Sequence, residues 1–461
     1  MTALLILFFT AVASLFAGLF AKRSWLLPIV LVGVGSALVV TLSELFSGSP
    51  WGNNFQEMID FDSYALSFSS VVLVTTLLIA GISGWGFRKL DMTKGDHYAL
   101  LLFSICGALT MFSFTNLVML FLGIEILSIP LYVLAGSNRD NLTSNEAALK
   151  YFLMGSFATG ILLFGMALVY GSTATFDTAG IAAAIQNGLA SPGMLKLGIL
   201  LILIGLSFKV SAVPFHFWAP DVYQGSPNMV TAYMSTVVKT AGFAAFYRLF
   251  SGAFLSMSDF WGVAVAGIAA LTMTVSNFTA IFQTDFKRMM AYSSISHAGY
   301  LLLGVLAVGI AGSSGALLVY LLTYSIASII AFAIYMLVSE PTEDGSFAAF
   351  NQLGKKQPFL ALMMTVAMLS LAGIPPLAGF FGKYFLFTSV VSQYPWLVVL
   401  AVVNSAVSIY YYFKVVIAMY FVREETESNI TLPASVRWML LAGLLLLAGL
   451  TFFPGFVYQL I

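Results

Sequence analysis

Six ionisable residues, Glu125, Lys150, Lys209, Lys239, Lys383 and Lys414, stand in or at the edge of stretches otherwise built for hydrocarbon, with His216 and His297 near them. An ionisable group at the centre of a membrane helix costs on the order of 2.5 to 3.5 kcal/mol even on the mildest scale. Several such costs in one chain need a return. Amine, carboxylate and imidazole together can hold a proton and pass it on: desolvation favours a neutral amine, and a carboxylate nearby favours the charged form.

Spacing places these groups on shared helix faces. Glu125 is followed by Ser128 and Tyr132 three and seven residues on, which gives one polar face. Lys209 and His216 are seven residues apart with Pro214 between them, and the proline removes a backbone donor and breaks or kinks its helix. Asn228, Thr231, Ser235 and Lys239 step by three, four and four, and Ser293, His297 and Tyr300 repeat the pattern. Such stripes cannot all face lipid.

Blander roles compete at some positions. Lys150 and Lys414 have stems long enough to snorkel to an interface, His216 can cap a broken helix, and His297 can be a packing histidine. Glu125, Lys209, Lys239 and Lys383 lie too deep for that and carry the proton-transfer expectation.

The elements that position these groups follow from composition. Of 461 residues, 60% are hydrophobic and only 8% charged, against roughly a quarter charged in soluble domains. Apolar stretches of about twenty residues, each able to cross about 30 Å of hydrocarbon as a helix, recur from end to end. They predict an all-α, polytopic membrane protein, one integral membrane domain over 1–461. About fourteen spans fall near 2–20, 25–46, 62–86, 98–115, 116–136, 146–171, 195–216, 228–250, 259–283, 288–310, 313–338, 358–387, 396–421 and 435–458. The thinnest divider is Phe114-Thr115-Asn116, between spans 4 and 5.

Basic residues in short loops stay cytoplasmic. With both termini outside, the inner loops hold Lys22, Arg23, Arg88, Lys89, Lys94, Arg139, Lys287, Arg288, Lys355, Lys356, Arg423 and Arg437, and the outer ones only Lys196 and Arg248. The first span lacks a basic region before it and has Lys22-Arg23 after it, so it reads as a retained helix rather than a secretory signal. One cysteine, Cys106, cannot hold an iron–sulfur cluster, and no glycine-rich dinucleotide fingerprint follows a strand. Redox chemistry is therefore expected on partner subunits.

Span 7 carries a proline break and Lys209, and span 8 carries Lys239; five spans later span 12 carries Pro375-Pro376 and Lys383, and span 13 carries Lys414. An odd shift inverts the second unit. The expectation is two inverted five-helix repeats, about 98–252 (spans 4 to 8) and 259–421 (spans 9 to 13), with spans 7 and 12 broken.

The stretch FKVSAVPFHFWAPDVYQGSP (208–227) followed by Lys239 resembles subunit N of bacterial proton-pumping NADH:quinone oxidoreductase, respiratory complex I. GIEILSIPLYVL around Glu125, EAALKYF around Lys150, DFKRMMAYSSISHAGY around His297 and GIPPLAGFFGKYF around Lys383 extend the resemblance from about 60 to 420. It implies that Glu125 and Lys209 are the charged pair of a first half-channel, Lys239 the connecting group and Lys383 the residue of a second, with His216 and His297 along a hydrated axis between. It implies no cofactor in this chain, with NADH, FMN, iron–sulfur clusters and quinone on partner subunits. The expected partners are other membrane and peripheral subunits and the lipid bilayer, with no nucleic acid, and the expected place is the bacterial cytoplasmic (inner) membrane. Two other readings stay open: a subunit of a multisubunit cation/proton antiporter, and a structural or assembly membrane protein.

Overall fold

The computed structural model describes residues 1–20, 23–48, 58–87, 94–339, 345–423 and 430–461. Lys22, Arg88, Lys89 and the side chain of Arg23, all used in the loop-charge reading, lie outside what it describes. Helices succeed one another in the order α1 (Thr2–Phe20), α2 (Leu26–Ser47), α3 (Ser63–Gly86), α4 (Lys94–Ser113), α5 (Leu117–Ala135), α6 (Leu142–Thr173), α7 (Thr178–Gln186), α8 (Pro192–Lys209), α9 (Trp218–Gly225) and α10 (Asn228–Tyr233). A π-turn over Met234–Val238 joins α10 to α11 (Lys239–Gly252). There follow α12 (Ser258–Ile281), α13 (Phe286–Leu306), α14 (Ser313–Ser339), α15 (Leu353–Lys356), α16 (Pro358–Ala372), α17 (Ala378–Val390), α18 (Pro395–Phe421), α19 (Ala434–Phe452) and α20 (Pro454–Tyr458).

Among the described residues, twelve helices are long and apolar enough to cross a membrane. The run α10–π-turn–α11 and the broken pair α16/α17 add two more rods. Spans 4 and 5 separate where the thin divider stands, because Asn116 caps α5 by accepting from the Val118 backbone N–H at 2.9 Å. Asp62, Asn141 and Asp285 cap α3, α6 and α13 in the same way; a side-chain oxygen satisfies N–H groups that the first turn leaves unpaired.

α13 and α14 are buried along nearly their whole length, and α3 and α4 almost as much; α1, α2, α6, α18 and α19 form the outer shell. Close approach between rods rests on small residues. A Cβ on Gly107 of α4 would stand 2.7 Å from the Gly123 oxygen of α5, and one on Gly165 of α6 would stand 2.9 Å from the Gly198 oxygen of α8. In hydrocarbon such backbone contact is a main source of helix association.

The bundle has two polar ends. At one, Thr115 donates to the Met58 oxygen and Leu117 to the Phe176 oxygen; Arg248 bridges Asp62 at 2.9 Å and the Phe114 oxygen at 2.8 Å. At the other, Phe286 donates to the Gly345 oxygen and Gln352 to the Ala418 oxygen. They are called here the Asp62 end and the Asp285 end.

Candidate functional site

The line begins where α8 stops. Lys209 is its last residue, and the chain then leaves the helix through Ser211, whose φ of +62° is rare for a non-glycine residue, a strained backbone state of the kind found at functional sites. Two bonds hold the break: Trp218 Nε1 donates to the Phe208 oxygen at 3.1 Å, and Val213 N donates to Thr272 Oγ1 of α12 at 2.9 Å. Lys209 is buried and its Nζ donates to Ser128 Oγ of α5. Glu125, one turn earlier on α5, is half-buried; its Oε1 is buried without a hydrogen-bond partner. The amine therefore rests on the hydroxyl next to the carboxylate rather than on the carboxylate itself. A cavity of about 10 Å³ between α5, α6 and α8, lined by Lys209, Tyr132 and Thr159 among others, is about the size of one water.

Lys239 comes directly after the π-turn, a feature that recurs at functional sites because it adds a residue to the turn and frees backbone groups. It is buried, and its Nζ donates to the Ser294 oxygen of α13 at 2.5 Å. Gly242, on the same face one turn later, brings α11 against Lys209: a Cβ there would lie 2.9 Å from Val210 and 4.0 Å from Lys209 Cγ.

From Ser294 a polar contact and then a ring contact lead to His297. Tyr324 donates to Ser294 Oγ at 3.0 Å and packs its ring against His297. His297 Nδ1 meets the Tyr320 hydroxyl at 2.6 Å and Nε2 meets the Tyr412 hydroxyl at 3.0 Å; Tyr412 also meets Ser293 Oγ at 2.5 Å. A second cavity of about 10 Å³ touches His297, Tyr320, Tyr324 and Lys383.

Lys383 is placed by the second break. α16 ends at Gly373, at φ +82°, and the Lys383 amine of α17 turns back to the Ala372 oxygen at 2.8 Å and to Ser405 Oγ of α18 at 2.7 Å. A cation suits a helix C-terminus, where carbonyls lack intrahelical partners and the dipole is negative. The amine also lies 5.0 Å from the Tyr300 ring centre.

The remaining sequence candidates lie apart from this line. His216 sits in the α8–α9 break, buried, with Nδ1 lacking a hydrogen-bond partner. Lys150, with its side chain 40% exposed, pairs with Glu146 at 2.6 Å and Asp221 at 2.7 Å, and Arg288 holds the other Asp221 oxygen at 2.8 Å. That position fits the snorkelling anchor. Lys414 donates to the Ile281 oxygen, with Tyr410 and Phe347 rings beside it.

Sequence reasoning missed Tyr320, Tyr324 and Tyr412, whose four-residue step on α14 and adjacency to the Asn404-Ser405-Ser408 stripe were the available signals. It also missed Glu44 of α2, buried with neither oxygen hydrogen-bonded. Lys287, placed in an inner loop by the charge reading, is buried in the first turn of α13 and donates to the Ser226 oxygen at 2.5 Å. Its helix begins inside the bundle end rather than above it.

A family model described as NADH:quinone oxidoreductase/Mrp antiporter, TM, matches residues 114–408. NADH-quinone oxidoreductase subunit N of Trichlorobacter lovleyi is 44% identical over 95% of this chain and 89% of its own length. Subunit N of Cytophaga hutchinsonii is 40% identical over 100% and 99%. The chain belongs to the subunit N family. Among solved structures, a chain of respiratory complex I from Thermus thermophilus with bound aureothin matches at a TM-score of 0.85 and 35% identity, over 99% of this chain and 98% of that one. A chain of the Mrp complex from Dietzia sp. DQ12-45-1b matches at 0.84 but 20% identity, over 100% and 96%, so it shares the fold.

In this chain Gly373 lies directly against the Lys383 side chain. Its φ is one that side chains resist, and a Cβ there would lie 2.8 Å from Lys383 Cδ. Gly373→Ala is expected to destabilise the purified protein by about 1 kcal/mol or more, whereas Gly267→Ala, whose Cβ meets nothing within 4 Å, costs nothing and gains up to about 1 kcal/mol. Denaturation of the two variants side by side checks this; equal behaviour would show that Gly373 does not set the break.

Proposed function

We propose that this chain is a non-redox translocase subunit of a bacterial respiratory NADH:quinone oxidoreductase, carrying protons along Glu125, Lys209, Lys239, His297 and Lys383 while redox chemistry on partner subunits supplies the energy. The observation that carries the reading is the close succession of buried polar groups from Lys239 through Ser294 and Tyr324, whose ring packs on His297, to Tyr320, which shares a cavity with Lys383. A structural membrane protein has no use for such a run, and each of its ionisable members is costly in hydrocarbon.

In this mechanism Lys209 moves between Ser128 and Glu125. Against the carboxylate it holds its proton; against the hydroxyl, in a water-poor site, it gives the proton up more readily. Lys239 receives it, with Gly242 leaving room for the two stems to approach. His297 accepts on one ring nitrogen while donating from the other, since its two nitrogens face two different tyrosine hydroxyls. Lys383 takes the proton next, steadied when charged by the α16 carbonyl. His216, in the first break, stands apart from this line, and Lys150 acts at the edge as an anchor. NADH, FMN, iron–sulfur clusters and quinone belong to the partners in this reading. The two broken helices support two inverted five-helix units, about 98–252 and 259–421. A cation/proton antiporter subunit is the rival reading; identities of 40–44% over the whole length to subunit N chains, against 20% to the Mrp chain, favour the oxidoreductase.

The basic residues support an orientation in the cytoplasmic membrane. Lys94, Arg139, Arg288, Lys355, Lys356, Arg423 and Arg437 gather toward the Asp285 end, and Lys196 and Arg248 toward the other, so the Asp285 end faces the cytoplasm and both termini the outside. Asn187→Cys is expected to react with an impermeant thiol reagent added to intact cells, and Lys355→Cys only after the membrane is opened. The reverse labelling would invert the topology.

Lys209→Ala in the assembled complex is expected to reduce proton pumping strongly, and quinone reduction with it if the two are tightly coupled. Lys209→Arg does not restore it, because a guanidinium keeps its proton. Glu125→Gln impairs pumping more than Glu125→Asp, and Lys414→Ala is tolerated. Acidification of sealed inverted vesicles on adding NADH reads all five. A wild-type rate from an assembled Lys209→Ala complex would remove Lys209 from the path.

A further inference from the structure

Asn277 of α12 has no place in the line described so far, yet it is wholly buried and both ends of its amide are bonded. Its Nδ2 donates to the Met273 oxygen one turn earlier at 2.8 Å, and at 3.4 Å it also meets Asn404 Oδ1 of α18 and the Tyr300 hydroxyl of α13. Its Oδ1 accepts from the Tyr411 hydroxyl of α18 at 2.9 Å. Asn404 is itself oriented, because its Nδ2 donates to the Leu400 oxygen at 3.0 Å. The two ends of the Asn277 amide therefore cannot change places: Met273 and Asn404 each present an oxygen that only accepts, and turning the amide over would set its oxygen against both. α12 is held close at this level by Gly299 of α13, where a Cβ would stand 2.8 Å from Met273 N.

We propose that Asn277 is a positioning residue for the proton relay: through Tyr411 and Tyr412 it fixes the tautomer of His297, keeping a proton on Nε2 and leaving Nδ1, on the Lys383 side, as the nitrogen that takes up and returns the moving proton. The inference rests on the proton-carrying reading above and adds to it the group that sets the polarity of its histidine.

The assignment follows from counting protons. An amide oxygen only accepts, so Tyr411 spends its single hydroxyl proton on Asn277 and its own oxygen is left to accept. The Tyr412 hydroxyl, next along α18, is hydrogen-bonded to that oxygen and gives its proton there. Toward its other two neighbours Tyr412 then accepts, from Ser293 Oγ at 2.5 Å and from His297 Nε2 at 3.0 Å. A ring nitrogen that donates carries a proton, so the neutral imidazole is bare at Nδ1, and the Tyr320 hydroxyl at 2.6 Å donates to it. Every donor points the same way, from Tyr320 through His297, Tyr412 and Tyr411 to the amide, and the series ends on the Met273 carbonyl. The opposite tautomer needs Tyr412 to withdraw its proton from Tyr411, which leaves two hydroxyl oxygens facing each other with no proton between them.

The transfer conserves every proton. Tyr320 and His297 share with Tyr324 and Lys383 a cavity of about 10 Å³. A proton arriving there binds the Tyr320 oxygen as Tyr320 hands its own proton to Nδ1; an imidazolium forms, and the reverse exchange returns the proton to the cavity, where the Lys383 amine takes it. The other side of the ring is closed. A proton leaving Nε2 passes Tyr412 and Tyr411 only as far as an amide whose nitrogen is held by a carbonyl and by Asn404, so it goes no further. The titratable groups around the imidazole are Tyr300 of α13, Tyr320 and Tyr324 of α14 and Tyr412 of α18, with Lys239 and Lys383 within electrostatic reach. A tyrosine hydroxyl serves as donor or acceptor alike, so the tyrosines by themselves select no tautomer; the fixed amide does.

The experiment measures NADH-driven proton uptake by the whole complex in sealed inverted vesicles. Asn277→Ala frees the Tyr411 hydroxyl to turn, and Tyr411→Phe removes the link while keeping the ring that packs there. Each is expected to slow uptake roughly tenfold, short of the about 10⁴-fold that a wrong histidine tautomer costs where the imidazole is the sole base. The double variant is expected to be no slower than either single one, because both cut the same series. Asn277→Asp keeps an oxygen toward Tyr411 and, protonated on the other oxygen, a donor toward Met273, so it restores most of the rate. A purely structural role predicts additive losses and an Asp variant as slow as the Ala one, and either result would overturn the inference. So would a wild-type rate from Tyr411→Phe, the variant that changes the packing least. Lys383→Met separates the two levels. If it stops uptake while Asn277→Ala and Tyr411→Phe run at the wild-type rate, only this inference falls; if all three run at that rate, the underlying reading falls with it.

Discussion

Hydrocarbon offers no water to a backbone group, and the structure depends on that one constraint. An N–H or C=O that leaves a helix inside the membrane must find a partner in the protein, at a cost of several kcal/mol if it does not. The chain breaks two helices in its interior all the same. Each break is closed by named groups, Trp218 and Thr272 at the first, Ser405 and the Lys383 amine at the second. The partner that satisfies the Ala372 carbonyl is itself the titratable group, so Lys383 is held in place by the same atom that makes its charge bearable.

The two halves solve this differently. In the first, Lys209 rests on a hydroxyl one turn from an unpartnered carboxylate, with a water-sized cavity beside it. In the second, His297 is fixed between two hydroxyls and Lys383 between a carbonyl and a hydroxyl. In the proposed mechanism the looser surroundings place the moving amine in the first half, where Ser211 holds a strained backbone.

Much of this was legible in the sequence because membrane helices announce themselves by length and hydropathy, and because a charge in such a stretch stands out against it. Glu125, Lys209, Lys239, His297 and Lys383 were found that way. Tyr320, Tyr324 and Tyr412 were not: tyrosine is ordinary in membrane helices, and only packing of α13 against α14 and α18 reveals which hydroxyls meet the imidazole. Lys287 was misread for the opposite reason. Its neighbours Asp285 and Arg288 look like a loop, and only the fold shows that Asp285 caps a helix starting inside the bundle end, which draws the next residue inward. Helix lengths around the first break were also underdetermined, since hydropathy cannot show that α8 ends at Lys209 and that a second short helix, α9, carries the rod onward.

The central claim is that protons pass through Lys239, whose amine on α11 donates to the Ser294 oxygen of α13. Simultaneous recording of NADH oxidation and proton uptake by the assembled Lys239→Met complex in sealed vesicles tests it most directly. The account predicts that proton uptake collapses and that any NADH oxidation that survives moves fewer protons per NADH than the wild type. A Lys239→Met complex that oxidises NADH at the wild-type rate with an unchanged proton yield would contradict it.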